Sequence, residues 1–218
     1  MSAAIAGLLS GDDVFMNQIL QRKISRASQI GGYESQSKAK LINDIFNRKD
    51  TSMLISVIPL RDPSLAAALV LQHHWNQQLP VRVDLIAQRM GVKLFPRSGM
   101  RYSGHFFSAD DTQNQSGQPA IVFNTDDSSA RQRFTIAHEL GHYVLGHGTS
   151  PRDTSKVLDG PVGSPNERAA NQFAAHLLMP ADAVRMMTSQ GHASTDALAK
   201  IFGVSAVAMG YRLVNLRL

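Results

Sequence analysis

Residues 137–142 read Ala-His-Glu-Leu-Gly-His, which is the pattern H-E-x-x-H within a segment of helical apolar spacing. A four-residue step on an α-helix places His138 and His142 on one face, one turn apart. Two imidazoles in that arrangement can bind one Zn²⁺ ion through ring nitrogen atoms. Glu139 is offset by about 100° from His138 and cannot easily share the coordination. It is therefore the candidate general base, acting on a metal-bound water.

The residues around this motif favour a functional helix over the alternative, two surface histidines on an amphipathic helix. Asp126–Ser128 supplies N-cap chemistry for a helix predicted from Ser129 to Leu145. Gly141 lies inside that helix, where glycine costs about 1 kcal/mol relative to alanine. That cost is explained if another element must pack closely against this turn.

A catalytic zinc ion usually has three protein ligands and a water, so one more ligand is needed. The chain has no cysteine, which excludes a thiolate ligand as well as disulfides. The downstream candidates are His147, Asp153, Asp159, Glu167 and His176. We favour Glu167, because it opens a helix predicted over 166–179 after a predicted loop, 149–165, long enough to fold back. The alternative for Glu167 is a first-turn acid that complements the helix dipole.

Asn171 lies one turn after Glu167 and is predicted to orient the ring N–H of a metal-bound histidine. Ala170 and Ala174, on the same side, are expected to let the two helices approach closely. His176 is expected near the opposite face of that helix, in the core or on the surface.

His147 is interpreted as a helix C-terminal residue favoured by the dipole. A known zinc-binding pattern with three histidines places glycine three residues, and histidine six residues, after the second histidine. Leu145 and Gly148 occupy those two places here, so that pattern fails.

Hydrophobic periodicity predicts an α+β fold, with a small antiparallel sheet packed on helices. The predicted helices and strands outside the motif are Leu65–Gln77, Val81–Met90, Val92–Phe95, His105–Ser108, Ala120–Phe123, Thr195–Phe202 and Ser205–Leu216. Ser64 is predicted to cap the first of these helices. Pro119 suggests that Ala120–Phe123 is an edge strand, able to pair with an extended peptide.

The predicted organisation has three parts. Residues 1–64 form a mostly helical N-terminal extension of unassigned role, with helix-like segments at Asp13–Ile30 and Lys38–Arg48. Residues 65–180 form the core, and residues 181–218 form a C-terminal helical subdomain that resembles a helix-turn-helix in outline.

Charge and hydropathy limit the partners. The net charge is +5, but lysine and arginine are scattered, and the last helix carries only Arg212, with Arg217 just beyond. We therefore do not expect direct DNA binding, since base readout needs polar side chains that reach the groove. No apolar run approaches the roughly 18 residues of a membrane helix. Met1–Leu9 lacks the basic start of a signal peptide, so a cytoplasmic location is expected.

The long motifs resemble the ImmA/IrrE family of gluzincin-like metallopeptidases, over about residues 65–218. The stretches that carry the resemblance are Arg131–His142 (RQRFTIAHELGH), Glu167–Pro180 (ERAANQFAAHLLMP), Val81–Val92 (VRVDLIAQRMGV) and Ile201–Ser205 (IFGVS), followed by Met209 and Arg212-Leu213. The resemblance implies a zincin-like core. It also implies one Zn²⁺ ion bound by His138, His142 and Glu167, with Glu139 as catalytic acid/base.

By the same resemblance, the expected substrate is a helix-turn-helix transcriptional repressor, cut to release stress-response or mobile-element genes. Two alternatives stay open: a zinc-containing module that binds a repressor without constitutive proteolysis, and a DNA-binding regulator. A zinc peptidase with an unrelated substrate is a further possibility. The sequence gives no indication of oligomeric state.

Overall fold

A computed structural model of the protein describes residues 62–147, 164–189, 191 and 194–218. The predicted helices at Asp13–Ile30 and Lys38–Arg48, and nearly all of the 1–64 extension, lie outside the described residues. So does most of the predicted loop at 149–165, which includes Asp153 and Asp159.

The predicted helices and strands of the described residues occur in the predicted order with small shifts at their ends, and one helix that was not predicted, α5, occurs with them. In chain order they are α1 (Pro63–His74), α2 (Val83–Arg89), β1 (Lys93–Arg97), β2 (Gly104–Phe107), β3 (Ala120–Asn124), α3 (Ser129–Val144), α4 (Pro165–Leu178), α5 (Ala181–Ser189), α6 (Thr195–Phe202) and α7 (Ala206–Leu216). The α+β class is confirmed.

The sheet is mixed rather than antiparallel. Its strand order is β1-β3-β2, with β1 parallel to β3 and β2 antiparallel to β3. Because β3 inserts between the two earlier strands, β1 and β2 do not pair as a simple hairpin would.

The prediction that Ala120–Phe123 is an edge strand is wrong, because β3 is the central strand. Ala120 and Ile121 are buried, as expected of a strand with a neighbour on each side. Pro119 is tolerated because it precedes the strand and contributes only its carbonyl, which accepts from the Lys93 N–H at 2.9 Å. Within the described residues, the edges are β1 and β2.

Two helix boundaries differ from the prediction. The cap of α1 is Asp62 rather than Ser64: its Oδ1 accepts from the Ser64 and Leu65 N–H groups at 2.8 and 3.2 Å. Pro180 ends α4, as predicted, but the chain then enters α5, which was not predicted. Proline is tolerated before the first turn of a helix, because N–H groups at that end have no partner within the helix. The Pro180 carbonyl accepts from the Val184 N–H at 3.0 Å.

One buried cluster runs through the described helices and sheet. It includes Leu140 of α3 and Phe173 of α4, and also Phe202 of α6 and Met209 of α7. The C-terminal helices therefore share their core with the helix that carries the H-E-x-x-H motif. In the described residues, no single helix has both the length and the apolar character of a membrane span.

Candidate metal centre

Helix α3 brings three ionisable side chains into the interior. Its N-cap is Ser128, whose Oγ accepts from the Arg131 N–H. The relative exposures of His138, Glu139 and His142 are 0, 2 and 4%. Burying an imidazole or a carboxylate is costly unless it is paired or binds a metal ion, so this burial indicates a built site.

Glu167 reaches the two histidines from α4. Its Oε2 lies 3.2 Å from Nε2 of His138, and its Oε1 lies 3.2 Å from Nε2 of His142. The two Nε2 atoms are 3.0 Å apart. Among the described residues, these three side chains form the group of histidine and acidic residues that could hold a metal ion.

The donor set fits a zinc ion. Tetrahedral ligands at about 2.0–2.1 Å from the ion would lie about 3.3 Å from each other, close to the separations seen here. Two imidazoles and one glutamate form a ligand set of catalytic zinc sites, which keep a fourth position for water. The histidines hold the pKa of the Glu167 carboxyl well below its usual range, first through the His138 hydrogen bond and then through that of His142, against desolvation.

The two helices meet closely at Gly141, as the sequence predicts. A Cβ on Gly141 would lie 3.2 Å from Cα of Ala170, 3.3 Å from its carbonyl oxygen and 3.0 Å from Cδ1 of Phe173. Only a residue without a side chain fits this crossing without a shift. The close approach is what allows Glu167 of α4 to reach the histidines of α3.

Asn171 has the predicted position. Its Oδ1 accepts from Nδ1 of His138 at 2.7 Å. Since an amide oxygen only accepts, the ring proton of His138 is on Nδ1, and the Nε2 lone pair is directed to the cluster.

His147 has a different environment from the one predicted. Its Nδ1 lies 3.1 Å from Nδ1 of His142, so it contacts the atom opposite the cluster. Burial, followed by the nearby His142, lowers the pKa of His147 to about 4. The ring is therefore neutral at neutral pH and cannot complement the helix dipole as a cation.

The end of α3 explains how His147 arrives there. Gly146 adopts φ +68°, the Gly146 N–H donates to the Tyr143 carbonyl, and the His147 N–H donates to the His142 carbonyl at 3.0 Å. This is a Schellman C-cap, in which the residue after the glycine folds back on the residue five positions before it. Gly146 was the sequence signal for this contact, which sequence reasoning missed.

Strand β2 passes directly beside Glu139. A Cβ on Gly104 would overlap the Thr135 methyl group and would lie 3.7 Å from Cγ of Glu139. The glycine thus allows an edge strand to approach the candidate base closely. At Ser103, the residue before Gly104, the side-chain Oγ accepts from Nε of Arg131 at 3.1 Å.

The remaining described histidines do not belong to this group of three ligands. His176 contacts the Arg212 guanidinium at 3.2 Å, and the ring of His105 packs against Phe107. His73 and His74 contact each other at the end of α1. His192 lies outside the described residues.

The fold and this cluster together define an α+β protein of the metallopeptidase type. Residues 87–214 match the model of the Peptidase M78 family, described as an IrrE N-terminal-like domain. The chain belongs to this family, since the match covers more than half of it. No curated protein matches the chain closely enough to count as a relative.

Proposed function

We propose that the protein is a zinc-dependent endopeptidase that cuts a helix-turn-helix transcriptional repressor and so relieves repression of stress-response or mobile-element genes. The observation that carries the peptidase part is the convergence of His138, His142 and Glu167 at 3.0–3.2 Å, with Glu139 beside them on α3. The repressor as substrate rests on the family resemblance alone.

In this proposal, His138, His142 and Glu167 hold the ion, and Glu139 is the acid/base. Zinc, when bound, supplies a Lewis acid for the scissile carbonyl and lowers the pKa of a coordinated water. The Glu139 carboxylate would accept a proton from the attacking water and deliver it to the leaving amine. Burial of Glu139 keeps bulk water away from this transfer.

The substrate would lie extended along β2. This strand is at an edge of the sheet, and its first residue, Gly104, lies beside Glu139, since a Cβ on Gly104 would be 3.7 Å from the Glu139 Cγ. An edge strand offers backbone N–H and C=O groups to a peptide that pairs with it. Strand β2 thus takes the place of β3, which the sequence analysis predicted to pair with the substrate.

Helix α7 favours a protein partner over DNA. Arg212, which was the one basic residue predicted on it, is 5% exposed and donates to the Met179 carbonyl at 2.9 Å. The exposed face carries Val207, Tyr211 and Val214, each about 70% exposed. An apolar helix face of this kind suits docking to a protein better than base or phosphate contact.

The test is the isosteric change Glu139→Gln, assayed on a repressor encoded next to this chain. We expect the variant to bind zinc as the wild type does, while cleavage falls by at least about 10²-fold, because no carboxylate remains to take the proton. Arg97→Gln, on β1, is the control and should cut normally. Cleavage by Glu139→Gln at the wild-type rate would eliminate Glu139 as the base. Failure of zinc-loaded wild type to cut would favour the non-proteolytic, repressor-binding alternative.

A further inference from the structure

A pocket of about 410 Å³ lies next to the proposed substrate strand, at the start of α3. Its lining includes Met100, Arg101, Tyr102, Ser103, Asp127 and Arg131, and we call it the Arg131 pocket. Neither the metal cluster nor the proposed acid/base uses any of these residues.

Arg131 is held with most of its donors unused. Its Nε donates to Oγ of Ser103 at 3.1 Å, which fixes the guanidinium against the residue that precedes β2. Within the described part of the chain, its terminal nitrogen atoms make no hydrogen bond or ion pair. Arg101 is exposed and has no ion pair there either. Two arginines thus line one pocket, and neither forms an ion pair within the described residues.

The net charge of the pocket lining is positive. Asp127 also lines the pocket, and its Oδ2 is buried and has no hydrogen-bond partner among the described residues. This one carboxylate is opposed by two arginines, of which Arg101 is exposed and Arg131 is half-buried. Guanidinium groups bind carboxylates through paired N–H donors, so the ligand chemistry that fits is a carboxylate.

The position of the pocket relates it to the cleavage site. Arg131 precedes Glu139 by eight residues on α3, and its Nε donates to Ser103, the residue before Gly104. Ser103 and Gly104 are consecutive, so a peptide paired with β2 would pass both Glu139 and the pocket.

We propose that the Arg131 pocket binds an aspartate or glutamate side chain of the peptide substrate, close to the scissile bond. This inference rests on the proposed peptidase function and adds a specificity determinant to it. Arg131 and Arg101 select the acidic residue, and Ser103 positions Arg131.

A binding selection tests the pocket without requiring cleavage. Random peptides displayed on phage are selected on the full-length, zinc-loaded Glu139→Gln protein. The same selection is made with Arg131→Gln, Arg101→Gln or Arg97→Gln added. Arg97 on β1 is the matched control, because it removes the same charge from the opposite edge of the sheet. Arg101→Gln keeps the test valid if Arg131→Gln fails to fold, since the Arg101 side chain is exposed.

We expect acidic residues to be enriched at one fixed peptide position on Glu139→Gln and on its Arg97→Gln derivative, and not on the two pocket variants. A synthetic copy of a selected peptide should bind roughly tenfold more weakly when that acid becomes its amide, as expected for a lost charge-assisted contact. The Arg131→Gln variant should bind both copies equally.

Several outcomes would overturn the proposal: no enriched peptide, enrichment of lysine or arginine through Asp127, or an acidic preference that persists in both pocket variants. Incubation of the selected peptide with wild-type protein then tests the peptidase function separately. Acid-dependent binding without cutting would refute the peptidase and keep the pocket assignment. Cutting without an acid preference would support the peptidase function and refute the pocket assignment.

Discussion

At the scale of single residues, each histidine of the cluster is oriented by a neighbour at Nδ1. Asn171 accepts from His138, and His147 contacts His142 on the side opposite the cluster. Both Nε2 atoms are therefore directed inward. Neighbours of this kind fix the tautomer and orientation of a ligand, and losing one typically weakens metal affinity 10–100-fold.

We predict that His147→Ala lowers zinc affinity by about 10–100-fold while the protein stays folded. The physical reason is that the His142 ring loses the contact that holds its Nδ1. Affinity is measured by competition with a chelator, and folding by circular dichroism. His74→Ala is the control, because the His74 ring contacts His73. Equal zinc affinity in His147→Ala and wild type would show that the contact does not position His142.

These positions differ in how far the sequence reveals them. Glu167 and Asn171 are one helical turn apart, and regular spacing is sufficient to place both on one face. His147 follows the end of a helix, where its direction depends on the φ of Gly146 rather than on periodicity. The sequence therefore predicted the Asn171 contact and missed the His147 contact.

At the scale of elements, the crossing of α3 and α4 assembles the site. Gly141 packs so closely against Ala170 and Phe173 that an added Cβ would lie only 3.0–3.3 Å from their atoms. The strand arrangement was harder to predict, because β3 has the pattern of a short apolar strand whether it lies at the centre or at an edge. Pro119 was a misleading signal, since it lies just outside the ladder.

We predict that Gly141→Ala destabilises the fold by about 1–3 kcal/mol, because the new methyl group would force α3 and α4 apart. The matched control is Gly210→Ala in α7, where the nearest atom is 4.0 Å from the new Cβ. The Gly210→Ala change should raise the free energy of unfolding by about 0.5–1 kcal/mol, since alanine is the better helix former. Urea unfolding measures both. A neutral or stabilising Gly141→Ala would mean that the two helices do not need this close contact.

At the scale of the whole molecule, the C-terminal helices are connected to α3, the helix of the H-E-x-x-H motif, by hydrogen bonds. Nε of Arg133 on α3 donates to the Gly203 carbonyl at 3.0 Å. A terminal nitrogen of the same guanidinium donates to the Val81 carbonyl at 2.8 Å and to the Phe202 carbonyl at 3.3 Å. The division at residue 181 follows a change in sequence pattern. The shared core and this arginine are tertiary features that local patterns do not reveal, and the division itself stays a prediction.

The central claim is that two helices, held by this core, place three ligands around one zinc ion. The most direct measurement is a crystal structure of the zinc-loaded protein with anomalous data at the zinc edge. We predict one anomalous peak, bonded at about 2.0–2.2 Å to Nε2 of His138, Nε2 of His142 and a carboxylate oxygen of Glu167. A zinc-loaded crystal with no peak at these atoms, or with Glu167 turned away from the ion, would contradict the account.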